Sequence, residues 1–380
     1  MASTPMDIDD ISSLASTPAL NITRTLPTAN LPTTAQVSDV IFQFRPTKLF
    51  SREEAKGTKQ QPHILSIDFD DPGDLCMTSE SDETIQIYNV KEGRHEKTLL
   101  SKKYGVKLAK FTHASSSILY ASTKQNDAIR YLSTHDNSFI RYFEGHEGTV
   151  TNIALHPGSD NFISTSVDGT ALLWDTQTKN WTGKLFLNGP TLAAWDPSGN
   201  VFAVASPSSG SILLYDRRNY AKAPFSIFDV LKARGPADPA AAFSGWTKLE
   251  FSNDGKHILL GSRSGGHFLL DAFDGGLKSY LKKPNGGTRR QAPGESEVGG
   301  IESCTGECCF APDGRFVISG GKSDLLVWDT LIFPDDNKVL EPTHVLEEKR
   351  EAAVVAYNPR YNMIATADQD LMFWLPDPHM

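Results

Sequence analysis

The sequence predicts an all-β chain folded as a seven-bladed propeller behind a disordered N-terminal tail, and three observations lead there. Residues 142–175, YFEGHEGTVTNIALHPGSDNFISTSVDGTALLWD, hold short alternating apolar runs separated by turns rich in Gly, Pro and Asp. The same pattern of turn and strand returns seven times, mostly at a spacing of about 40–46 residues, the period expected of propeller blades. The hydrophobic share, 39%, is modest, as expected of short strands rather than one thick core.

The clearest repeat can be read residue by residue. Val150, Ile153 and Leu155 argue one strand, and Phe162, Ser164 and Ser166 argue a second by period-two alternation. Residues 171–175 give a third. The unit opens on Gly145-His146 and closes on Trp174-Asp175, the signature of a WD repeat. His146, Ser164, Asp168 and Trp174 are expected to form a structural tetrad, since a buried imidazole needs hydrogen-bonding partners. A Ser-His-Asp trio also fits a hydrolase, but only the structural reading explains the Trp and the spacing.

Residues 1–36 are rich in Ser, Thr, Pro and Ala and lack periodicity. They cannot bury enough surface to offset the entropy of ordering, so a disordered tail is expected there. Residues 37–380 are then assigned to the propeller. The β-prone segment 37–50, VSDVIFQFRPTKLF, is expected to close the ring by pairing with the blade ending near Trp374. Seven third-strand positions match Trp174: Tyr88, Leu132, Trp174, Tyr215, Leu270, Trp328 and Trp374. Two intervals are long and predict insertions near 217–245 and 276–303, the first with room for a short helix.

Composition narrows the function. The chain carries 37 Lys and Arg against 46 Asp and Glu, a net charge of −9, which disfavours direct nucleic-acid binding. No run reaches the ~18 apolar residues of a helical span, and the start MASTPMDIDD lacks the features of a secretory signal. Cys76, Cys304, Cys308 and Cys309 have no second pair at finger-like spacing, so buried reduced thiols are expected rather than a metal site. Ser-Gly-Gly-Lys-Ser at 319–323 resembles part of a phosphate loop, but a strand follows where a helix is needed. No cofactor loop or nucleophile site is found, and no enzyme is predicted.

The repeat register places the connections between blades on one face, together with the turns between second and third strands. Lys102 takes the place of His146, so Lys102, Lys103 and Tyr104 should sit on this upper rim. Lys349 and Arg350 should join them, with Lys282-Lys283 and Arg289-Arg290 from the second insertion. A basic rim on an acidic protein predicts a site for an acidic or phosphorylated peptide. The plainer alternative is that these side chains only keep loops solvated.

Six stretches carry a closer likeness: SKKYGV (101–106), IRYLSTHDNSFIRYFEGH (129–146), FISTSVDGTALLWD (162–175), KLEFSNDGK (248–256), LLDAFDG (269–275) and MFWLPD (372–377). They resemble the WD-repeat subunit of COMPASS (Set1-type) histone H3 lysine-four methyltransferase complexes, which in fungi also serves the cleavage and polyadenylation factor. The resemblance covers residues 37–377 and departs in the long tail, in the Gly-rich 284–300 segment, and at Leu375, where Asp usually follows Trp. It implies a nuclear, non-enzymatic scaffold that binds the N-terminal region of the methyltransferase and other COMPASS subunits. It further implies contact with cleavage and polyadenylation factor subunits and with transcribing RNA polymerase II, whose phosphorylated tail would suit a basic rim. A reading of another class is a phosphopeptide-binding substrate receptor of a ubiquitin ligase, although no F-box or other adaptor segment accompanies the propeller. A third is an enzyme using the central channel, which needs polar groups converging on the axis. The inner strands that align are mostly apolar.

Overall fold

A computed structural model describes residues 35–51, 62–234, 245–263, 265–284, 308–321, 324–347 and 350–377. Seven sheets follow one another; their blade strands pair antiparallel and, in blades 1 to 6, in chain order from the axis outward. Blades 1 to 6 span residues 64–100, 107–143, 150–186, 192–229, 246–282 and 308–347. Blade 7 takes three strands from residues 354–376 and its fourth from Phe44–Phe50.

The burial patterns explain the packing. The second strand of blade 3, Asn161–Ser166, is buried at five consecutive positions, as a strand covered on both faces must be. The outer strand of blade 1, Arg94–Leu100, is mostly exposed and charged. Among the described residues there are seven apolar clusters, and each draws its side chains from two adjacent blades. The core is therefore a ring of seven blade-to-blade interfaces rather than one centre.

Closure runs through Phe44–Phe50, which pairs antiparallel with Leu371–Pro376; Phe44 faces Pro376 and Pro46 faces Trp374. A bulge between Pro46 and Lys48 accommodates the proline, which has no N–H to give a ladder. The strand starts later than the β-prone run at 37–50 suggests. Val37–Val40 is a helical turn and Ile41–Gln43 a tighter one, because the Asp39 carboxylate accepts the Gln36 amide at 3.2 Å and coils the chain. Val40, Ile41 and Phe44 are thereby buried between blades 6 and 7. The expected disordered tail, apart from residues 35 and 36, lies outside the described residues.

The insertions also fall differently. The outer strand of blade 4, Ser226–Asp229, divides the first one. Residues 217–225 turn on the lower face, and a short helix, Val230–Arg234, begins the upper connection. Of the second, residue 276 belongs to a turn and residues 277–282 are the whole of the strand Leu277–Lys282, and 285–303 lie outside the described residues. A third excursion was not anticipated. Residues 330–343 leave blade 6 and add a short strand, Val339–Leu340, parallel to the outer strand of blade 5.

Candidate functional site

In blade 3 the tetrad is a continuous hydrogen-bonded chain. Trp174 Nε1 donates to Ser164 Oγ at 2.8 Å, and Ser164 Oγ lies 2.7 Å from His146 Nε2. His146 Nδ1 lies 2.9 Å from Thr170 Oγ1 and 3.3 Å from Asp168 Oδ2. The ionised Asp168 can only accept, so Nδ1, which faces it, carries the imidazole proton, and Nε2 then accepts the Ser164 hydroxyl proton. Asp168 also accepts the Glu147 amide at 2.8 Å and both the amide and hydroxyl of Thr170, at 2.8 and 2.7 Å. Thr170 thus completes the set as a fifth member that the sequence pattern did not single out.

Burial holds the His146 pKa below its ordinary value, with Asp168 opposing. For Asp168 burial pulls upward, but the Thr170 hydroxyl, the two amides and His146 together leave its pKa lowered. Ser164 and Trp174 are fully buried, so the serine oxygen cannot meet a substrate. The trio spends all its polar groups on itself, the opposite of a nucleophile poised for attack. Other blades keep fragments. Trp374 Nε1 donates to Thr366 Oγ1 at 2.9 Å, whereas Trp328 Nε1 donates to Leu340 O of the inserted strand at 3.2 Å.

The upper rim is built on residues 101–106. Tyr104 O accepts the amides of Thr123 and Lys124 at 3.0 and 2.8 Å, tying this connection to the neighbouring turn of blade 2. Gly105 has φ +70°, and a Cβ there would lie 1.8 Å from Thr123 Oγ1, so glycine is required. Lys102 and Lys103 stand exposed on this fixed turn. The Tyr104 ring is already engaged: the Arg130 guanidinium lies 3.4 Å from its centroid and the Lys103 ammonium 5.0 Å. Phe139 and Tyr142 also flank Arg130, at 5.6 and 4.9 Å.

Arg130 is 3% exposed and donates to Ser122 Oγ at 2.8 Å and Asn126 Oδ1 at 3.0 Å. Sequence reasoning missed this stack, although an Arg where the aligned strands carry Leu172 and Leu326 is a readable signal. The stack brings together the two stretches SKKYGV and IRYLSTHDNSFIRYF.

The remaining rim cations are less available than their sequence positions imply. Arg350 is exposed but paired with Asp370, and it precedes blade 7 while Lys102 precedes blade 2. Lys282 pairs with Glu341 at 2.8 Å, and Lys283 is buried with its ammonium on Ser262 O at 3.1 Å. Those two lysines do not extend the rim, because a blade edge and the inserted strand beside it engage them. Lys349, Arg289 and Arg290 lie outside the described residues.

A cavity of 570 Å³ lies on the axis, lined by the innermost strands of all seven blades. It is more polar than those strands suggest. Lys110 contacts Asp68 at 2.6 Å across blades 1 and 2, and Lys248 contacts Glu250 at 2.9 Å. Burial raises the Asp68 pKa against the pull of Lys110. Asp68 also accepts the Phe111 amide at 2.7 Å, so the carboxylate staples two blades. Cys76 and Cys309 are buried free thiols, Cys308 is buried as well, and burial pushes Cys309 up to about 12.

Seven four-stranded blades, one of them locked by a His-Ser-Asp-Trp set, define a WD-repeat β-propeller. The WD domain, G-beta repeat model matches residues 137–175 and 299–329. The chain is 34% identical over 344 residues to COMPASS component SWD2 of Saccharomyces cerevisiae, spanning 89% of this chain and 97% of that protein. It is 35% identical to WD repeat-containing protein 82 of Drosophila melanogaster, over 90% and 96% of the two chains. It is 29% identical to Set1 complex component swd2 of Schizosaccharomyces pombe, over 88% and 98%. The chain belongs to this SWD2 family of WD-repeat proteins.

Proposed function

We propose that this protein is a nuclear, non-catalytic subunit of a Set1-type (COMPASS) histone H3 lysine-four methyltransferase complex. The likeness to COMPASS component SWD2 over nearly the whole of both chains carries the reading. The chemistry agrees with it, since the blade 3 tetrad and the Arg130 stack are internally satisfied and serve to hold the blades. We further propose that the protein joins the cleavage and polyadenylation factor and links both assemblies to RNA polymerase II. In that role Lys102 and Lys103, displayed on the turn that Arg130 and Tyr104 brace, contact the phosphorylated polymerase tail. Lys349 and Arg350 are assigned a lesser part.

Affinity purification of the tagged chain from nuclei tests the reading. Recovery of the methyltransferase together with cleavage and polyadenylation subunits is expected. Recovery of cullin adaptors without the methyltransferase would overturn it in favour of a ubiquitin-ligase receptor.

A further inference from the structure

The lower face carries a feature unrelated to the basic rim. Phe273 is 94% exposed and Phe333 is 93% exposed, with Leu331 and Ile332 also exposed beside the second. Scattered single apolar residues on a surface need no explanation, but four large ones in two adjoining turns do. Phe273 lies in the turn that joins the third and fourth strands of blade 5, and Phe333 in the corresponding connection of blade 6. The two turns are tied together. Lys338 Nζ donates to Leu277 O at 2.6 Å, and Tyr280 N donates to Lys338 O at 2.7 Å.

Both aromatic rings are displayed by rigid turns rather than left on slack loops. Asp271 Oδ1 accepts the amides of Phe273 and Asp274 at 2.8 and 3.2 Å, and Asp274 Oδ1 accepts that of Gly276 at 2.7 Å. Gly275, at φ +73°, packs so near Phe228 that a Cβ would lie 2.1 Å from its ring. In the second turn Asp335 Oδ1 accepts the amides of Asn337 and Val339 at 2.9 and 2.7 Å. Asp329 Oδ1 accepts that of Leu331 at 3.0 Å. Anchors held in place lose little freedom on binding, which favours their use in recognition.

The charge around them selects the partner. Residues 271–276 and 330–338 contain Asp271, Asp274, Asp335 and Asp336 against the single cation Lys338, whose ammonium is engaged by Leu277 O. Nearby, Lys256 is paired with Asp254 and Arg315 with Asp329. The geometry points to a docking surface for an extended protein segment that places large apolar side chains over Phe273 and Phe333, between flanking Lys or Arg residues. It is independent of the upper rim and of the assembly proposed above.

Selection of a random 12-residue peptide library on the full-length chain tests this surface. Enriched peptides carry aromatic or aliphatic residues flanked by Lys or Arg. The double variant Phe273→Ala, Phe333→Ala removes only exposed side chains, so its melting temperature is unchanged, yet it binds those peptides about tenfold or more weakly. Raising the salt concentration weakens the wild-type complex. Three results would each overturn the inference. One is enrichment only of peptides indifferent to the double variant, and another is enrichment of acidic flanks. The third is a concentration-dependent dimer that the double variant dissolves, since the face would then receive a second copy of the chain.

Discussion

The guanidinium of Arg130 lies 3.4 Å from the ring centroid of Tyr104, joining the third strand of blade 2 to the connection that displays Lys102 and Lys103. A buried cation in a stack with two neutral hydrogen-bonding partners depends on every one of them. Arg130→Ala is therefore expected to cost about 2 kcal/mol of stability, with Ser122 and Asn126 left short of a donor. Arg130→Lys should recover only part, because an ammonium cannot stack or fork as a guanidinium does. Urea denaturation of the three proteins measures the order; a lysine variant as stable as wild type would contradict it.

For the rim itself, the decisive variant is Lys102→Glu with Lys103→Glu. Both side chains are exposed, so melting should not change. Binding to a phosphorylated polymerase-tail peptide should be lost, and wild-type affinity should fall as ionic strength rises. Calorimetric titration with phosphorylated and unphosphorylated peptide checks this. Equal affinity of both proteins would return these lysines to the solvated-loop reading.

Asp168→Ala should lower stability by about 1–3 kcal/mol, as expected when a partly buried acceptor of several hydrogen bonds is removed. Partner binding should fall only in proportion to the unfolded fraction. Unchanged melting with selective loss of binding would show that the tetrad is a contact site instead.

Stability should also decline as the medium is acidified. His267 is fully buried, accepting the Ser262 amide at Nδ1, at 3.0 Å, with Nε2 2.8 Å from Ser319 Oγ. Burial, reinforced by Lys283 and Lys248, holds its pKa well below the ordinary value. Burial lowers His146, His156, His257 and His344 too. His113, by contrast, is raised by Asp71. Groups with lowered histidine pKa values are neutral in the fold and take up protons on unfolding. Stability is then full above the unfolded value of about 6.5 and falls below it. Denaturation at about pH 7.5 and 5.5 should show that loss, and His267→Gln, which keeps a donor and an acceptor, should reduce it.

Truncation separates the tail from the closing strand. Removing residues 1–34 leaves every described element in place, so melting should be unchanged. Removing residues through Phe50 strips Ile41 and Phe44 from the core between blades 6 and 7, at roughly 1.5–3 kcal/mol each. It also bares the edge of Leu371–Pro376, and aggregation should follow. Static light scattering distinguishes the two.

What the sequence made legible was whatever repeats. The seven positions aligned with Trp174 all lie in the third strands of their blades, because turn residues and alternation recur with them. Pairings between distant side chains were not legible. Arg350 reads as an available cation until Asp370 is found beside it, and Lys283 reads as exposed until Ser262 O is found at its tip. The blade 6 excursion escaped notice because blade 7 has inner strands of only four residues. That shortening offsets part of the insertion, leaving Trp328 and Trp374 46 residues apart, close to the other short intervals. The helical turn at Val37–Val40 was masked by β-prone composition, with one carboxylate at Asp39 tipping the local balance.

The pairing of Phe44–Phe50 with Leu371–Pro376 also sets the order in which the molecule can be made. A chain emerging from the ribosome can stack blades 1 to 6 as they appear, each on its predecessor. Phe44 and Ile41 have nowhere to go until blade 7 has been synthesised. Through that interval the nascent protein is an open arc with an apolar face at each end, and joining contacts so distant in sequence is slow. Protection of those two faces during translation, rather than stability once closed, is the step at which this ring is most exposed to failure.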